Sequence, residues 1–178
     1  MKKRVLLLLV AALLCCAGGV GGTVAWLLSE TTVVNTFVAG DISISLTETT
    51  GNLYNLTPGT VVSKDPKLTV YVGSEPCWLF VKIEETGELS KYVTYEIADG
   101  WTKLEDGVYY REYVKSNSNV EYKILNDDAV TVKDTVTESD EIYLKKQGIM
   151  PEMKLMAYAI QWKSFDNPYD AWQEAKKH

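Results

Sequence analysis

Histidine is all but missing from this sequence: of 178 residues one is His, and it is His178, the last. A Ser-His-Asp or Cys-His site needs an imidazole held by a third group within hydrogen-bond reach, and a residue following Lys176 and Lys177 is badly placed to supply one. A zinc protease of the H-E-x-x-H type is excluded outright. No P-loop and no G-x-G-x-x-G occurs, so nucleotide chemistry has no support either. Cysteine is nearly as scarce. Cys15 and Cys16 fall in an apolar N-terminal run, which leaves Cys77 alone and rules out an intrachain disulfide once that run is removed. Cys77 alternates with Leu79, Val81 and Ile83, the pattern of a small buried apolar residue. The sequence therefore assigns no catalytic, cofactor-binding or metal-binding residues.

Basic residues are outnumbered as well, 18 Lys and Arg against 24 Asp and Glu. Three of the bases open the chain, in Met1-Lys2-Lys3-Arg4, and an apolar run from Val5 to Val24 follows. A basic start, a Leu/Val/Ala core and the small residues of Thr23-Val24-Ala25 make residues 1–25 a secretory signal peptide, with cleavage between Ala25 and Trp26. A retained anchor is the competing reading, because the apolar stretch continues through Leu28 and approaches the ~20 residues that span a bilayer. Gly18-Gly19 and Gly21-Gly22 weaken that helix. Cleavage removes Lys2, Lys3 and Arg4 and no acid, leaving 15 bases against 24 acids and a net charge of −9. Such a balance opposes binding to nucleic acid, whose contacts rest on clustered Lys and Arg.

What is plentiful is period-two alternation of β-branched and aromatic residues, each strand turning one side to a core. Residues 42–46 and 68–72 alternate cleanly, and further strands are expected at 77–85, 92–97, 108–114, 120–125, 129–136 and 153–163. Turn chemistry separates them at Thr57-Pro58-Gly59, Gly73-Ser74-Glu75-Pro76, Ala98-Asp99-Gly100, Glu105-Asp106-Gly107 and Asn126-Asp127-Asp128. The expected fold is all-β: a two-sheet antiparallel sandwich of Greek-key or jelly-roll connection with a short C-terminal helix. That helix is expected from about Pro168 to Lys176, with Asn167 as N-cap and Asp170 in its first turn, and it has the only good helix start.

Three clusters invite functional readings. Asp127, Asp128, Asp134, Glu138, Asp140 and Glu141 form an acidic stretch that suits a calcium loop or, better, a solvated edge that discourages unwanted pairing. Glu84 and Glu85 point to opposite faces of their strand, which makes them a poor acid/base pair. Trp101, Tyr109, Tyr110, Tyr113 and Tyr122 suit a carbohydrate-stacking face or simple strand filling.

Five segments carry a resemblance to a known family. They are Gly21-Gly22-Thr23-Val24-Ala25-Trp26, the stretch from Asn35 to Glu48, the stretch from Pro58 to Pro66, Glu75-Pro76-Cys77-Trp78-Leu79-Phe80-Val81-Lys82, and Ala157-Tyr158-Ala159-Ile160-Gln161. In this order the chain resembles the TasA/camelysin family of exported proteins of Gram-positive bacteria. The resemblance implies export through a SipW-type signal peptidase, a jelly-roll-like sandwich, and polymerisation into fibres of the biofilm matrix or cell surface. It departs from the family at Cys77-Trp78-Leu79 and in the apolar Trp26-Leu27-Leu28-Ser29. Camelysin-type members are described as metal-dependent proteases, for which this sequence shows no recognisable ligand set.

The resemblance further implies that the mature N-terminus is a donor strand completing the sheet of the next subunit. Residues 26–38 have the composition for it, with Val33, Val34, Phe37 and Val38 as β-formers and no Pro, and about 12 extended residues reach ~40 Å. The expected organisation is thus a signal peptide at 1–25, a donor or edge strand at 26–38 and a sandwich domain at 39–178. The expected protein is secreted, without cofactor or enzymatic activity. Its partners are further copies of itself in a head-to-tail homopolymer, the signal peptidase during export, and other matrix proteins or polysaccharide. A folded-back edge strand is the competing reading of 26–38; a monomeric surface-binding module and a secreted metalloprotease are the competing functions.

Overall fold

The computed structural model describes residues 38–39, 41–50, 56–149 and 151–177. The expected signal peptide and the cleavage point expected at Ala25 and Trp26 lie outside the described residues, as do Val33, Val34 and Phe37. Eleven strands are named in chain order: β1 Val38–Ala39, β2 Ile44–Thr47, β3 Val61–Ser63, β4 Lys67–Val70, β5 Cys77–Thr86, β6 Val93–Thr94, β7 Thr102–Glu105, β8 Val108–Tyr113, β9 Val120–Lys123, β10 Ala129–Val132 and β11 Glu152–Gln161. Three helices accompany them, α1 Leu89–Tyr92, α2 Glu138–Gln147 and α3 Pro168–Ala175. The all-β sandwich with its C-terminal helix is the fold observed.

One layer is a five-stranded sheet in the order β1-β11-β5-β8-β7. The facing layer is split into two three-stranded halves, β2-β4-β9 and β3-β10-β6, so the two sheets expected are three. The halves are joined by the single bridge of Ile97 with Leu125 and by the backbone bonds of Ala98 N to Ile124 O and Asn126 N to Glu96 O. All pairing is antiparallel except that of β1 on β11. Among the named strands only β7 and β8 are both consecutive and paired. Gly107 closes that hairpin at φ +72° against β5, where Ile83 N donates to its carbonyl and a Cβ would stand 2.5 Å from the Ile83 carbonyl oxygen.

The main core lies between the layers. Cys77, Leu79, Val81 and Ile83 of β5 and Met153, Leu155, Ala157 and Ala159 of β11 meet Leu46, Leu68, Val70, Val130 and Val132 from the facing halves. Each buried Val, Leu, Ile or Met among them contributes about 1.5–3 kcal/mol by leaving water. Clean alternation is not what β5 shows, however. Cys77 through Val81 are buried in succession, because the even-numbered residues Trp78 and Phe80 are covered from the other side. Their cover is α3, whose Ala171, Trp172 and Ala175 form a second core with Trp78, Phe80, Val108 and Ile160. Trp172 stands 5.4 Å from the Phe80 ring and 5.2 Å from the Tyr158 ring, and its Nε1 donates to Glu105 Oε1 at 2.7 Å.

The helix start at Asn167 is as expected: its side chain accepts from Asp170 N at 3.0 Å and Pro168 takes the first helical position. It is not the only good start. Thr137 and Asp140 form a reciprocal capping box for α2, with Glu138, Asp140 and Glu141 in the first turn, Lys145 and Lys146 in the last, and Gly148 closing the end at φ +65°. Half of the acidic stretch is therefore the first turn of a helix rather than a strand edge or a cation loop. β1, β3 and β7 are likewise strands that periodicity did not announce.

Candidate assembly surface

An assembly strand needs a sheet edge to join, and the two edges of the five-stranded sheet differ. β7 closes one side. Its ladder with β8 slips between Lys103 and Glu105, leaving a bulge at Leu104, and Lys103 stands on the edge paired with Asp106 at 2.7 Å. Bulges and lysines are the usual means of blunting an edge. β11 forms the opposite side, and it is ten residues long. Its ladder with β5 runs unbroken from Glu152 to Gln161, but on its other side only Ala159 and Ile160 are paired, with Val38 and Ala39 of β1. Among the described residues the outer edge from Glu152 to Tyr158 has no strand on it.

Of the donor residues read from the sequence, Val38 is thus placed in β1, opposite Ala159 on its own domain. The boundary drawn after residue 38 cuts that strand in two. Among the described residues β1 is the one parallel partner in the structure, and it meets β11 at Ala159 and Ile160.

Downstream of β1 the chain is fastened by a clasp that sequence reasoning did not find. The backbone N–H and hydroxyl groups of both Thr49 and Thr50 donate to the Asp65 carboxylate. Burial opposes ionisation of Asp65, yet the bonds from Thr49 and Thr50 together outweigh it and hold the carboxyl well below the usual range. Beside it Lys64 Nζ reaches Glu48 Oε1 at 2.9 Å in a pair whose side chains are 8% and 3% exposed. Lys64-Asp65-Pro66 and Thr47-Glu48 both fall in segments that carried the family resemblance. The clasp ties the end of β2 to the start of β4, which gives those residues a structural task.

The remaining candidates are scattered. Glu84 pairs with Lys82 while Glu85 accepts from Tyr95 Oη at 2.6 Å, on opposite faces. Burial pushes the Cys77 thiol up to about 12, so it is an unreactive core residue. The aromatic face divides: Tyr110 packs with Trp78 on the α3 side, Tyr113 is buried, and Trp101 and Tyr122 meet on the interlayer side. Among the described residues no three His, Cys, Asp or Glu side chains gather where a metal ion would be held.

The fold defines a β-sandwich protein whose main sheet has one blunted edge at β7 and, among the described residues, an edge at β11 paired only at Ala159 and Ile160. Residues 1–74 match the family model described as camelysin metallo-endopeptidase, which bears out the TasA/camelysin resemblance over that part of the chain, through β4. No curated protein and no solved structure matches the chain. The metal that the family description implies finds no fitting donor set among the described residues: the one histidine is residue 178, outside them, and Cys77, the one cysteine among them, is sealed in the core.

Proposed function

We propose that this is an exported structural protein that assembles into extracellular fibres by strand donation, the mature N-terminal segment of one subunit lying along β11 of the next. The observation that carries the reading is the edge of β11, where among the described residues β1 occupies two of ten positions and does so in parallel. A segment of about 12 residues precedes β1 in the mature chain, and its Val33, Val34 and Phe37 suit an edge strand. Main-chain ladder bonds supply affinity in such a contact and alternate side chains supply register. Because donor and acceptor are different surfaces, the contact does not close on itself and gives filaments. The blunted β7 edge leaves growth a single direction in the sheet.

Purified protein beginning at Trp26 is compared with protein lacking residues 26–38, using circular dichroism for folding and sedimentation with negative-stain microscopy for assembly. The full mature chain is expected to form fibres and the truncated one to remain a folded monomer. Pro at Val34 or Phe37 is expected to act like the truncation, since it removes a ladder donor. Unfolding of the truncated chain would mean that the segment completes its own domain, and undiminished fibres would mean that assembly uses another surface.

A further inference from the structure

Arg111 is the one arginine of residues 26–178, in a chain whose acids exceed its bases. It sits on the interlayer face of β8, opposite Leu79 in the ladder. Its Cζ lies 3.9 Å from the centre of the Tyr122 ring and 5.4 Å from that of Trp101. Lysines account for all the ion pairs found among the described residues; the guanidinium has none, and its Nε is buried without an acceptor. Desolvation lowers its pKa, as expected of a cation with no anion beside it.

Three features distinguish this place from a packing plug. Stacking on Tyr122 fixes the plane of the guanidinium, so its Nη groups form a rigid fork suited to a carboxylate. Trp101 is itself pinned, Nε1 donating to the Lys123 carbonyl at 2.8 Å. Beside the fork stands Gly100, at φ +85°, where a Cβ would lie 2.9 Å from Nη2 and 3.3 Å from Nη1. Any side chain there would fill the space next to the nitrogens.

We propose that Arg111, held by Tyr122 and Trp101 beside Gly100, is a carboxylate-binding site whose occupant is an acidic side chain of a second copy of this chain. The choice of occupant rests on the fibre reading and on charge. Among the described residues Glu112, Glu121, Glu138 and Asp99 have no cationic partner, so each subunit offers several free carboxylates and one free guanidinium. A polyanion would run its charge along a surface of net −9, whereas a folded partner brings one carboxylate to one point.

The single arginine makes the test direct, because ¹⁵N-labelled protein beginning at Trp26 gives one arginine Nε–H resonance. Below the concentration at which assembly begins, a tetraglutamate peptide is expected to shift that resonance and a tetraglutamine peptide to leave it in place. Above it, R111Q and R111K, checked for folding by circular dichroism, are expected to need about tenfold more protein to assemble, the equivalent of about 1.4 kcal/mol. R111K keeps the charge and the stem and loses only the fork, so it decides the matter if R111Q does not fold. A resonance unmoved by both tetraglutamate and an oligouronate overturns the site. Variants that assemble at the wild-type concentration, or a shift produced by an oligouronate and not by tetraglutamate, overturn the second copy as occupant. If wild-type protein forms no fibres, the fibre reading fails while the peptide titration still decides the carboxylate site.

Discussion

Asp65 concentrates in one carboxylate the attachment of a whole segment, since four donors from Thr49 and Thr50 converge on it. Its folded pKa lies below the unfolded value, so the stabilisation is present in full above about 3.9 and is lost as the pH falls toward the depressed value. D65N keeps the shape but turns an amide N–H₂ toward donors. At pH 7 it is expected to lose about 1–2 kcal/mol, the lower part of the range for bonds to a charged group, because the site is partly open to water. Urea titrations at pH 7 and pH 3 check this: the gap between wild type and variant should narrow at the lower pH. Cys77 gives a second residue-scale expectation. With its thiol pushed up to about 12 and no exposure, it should resist iodoacetamide at pH 8 in folded protein and react in denaturant.

Elements were legible in the sequence where one physical signal acted alone. α3 was found because Asn167, Pro168 and Asp170 are a cap, a start and a dipole partner in four residues. α2 went unread because Thr137-x-x-Asp140 stands in a run of acids that also suits a strand edge, and the helix it opens is polar nearly all round with only Leu144 buried. Helical periodicity has nothing to report in such a segment. β5 was placed correctly but taken as half-buried, since nothing local to residues 77–86 says that α3 will cover Trp78 and Phe80. T137A should cost about 1 kcal/mol by freeing the cap. W172A should cost about 3–5 kcal/mol, because it empties the second core and leaves Glu105 without its donor. Denaturant titration of each variant measures both, and a W172A loss under 1 kcal/mol would mean that α3 is a passive cover.

At the scale of the molecule, pairing is what the sequence concealed. Strands were readable one at a time, but with β7 and β8 the only consecutive partners among those named, every other ladder joins segments that no local pattern connects. The β11 edge was hidden for the same reason, since β11 becomes an edge only when β5 takes its other side and, among the described residues, β1 covers two positions of it. Charge, by contrast, was legible from composition and governs how subunits approach. Subunits cleaved and assembled as proposed would carry net −9 and repel one another at neutral pH, and the whole sequence has an isoelectric point near 4.9. Lowering the pH from 8 toward 5 protonates the least acidic carboxylates and reduces that repulsion, while the Asp65 clasp stays ionised because its pKa is depressed. Fibre formation should therefore begin at lower protein concentration at pH 5 than at pH 8, with circular dichroism unchanged between them. Light scattering across that range measures the onset. An onset that rises on acidification would show that the contact between subunits depends on ionised carboxylates more than it suffers from their repulsion.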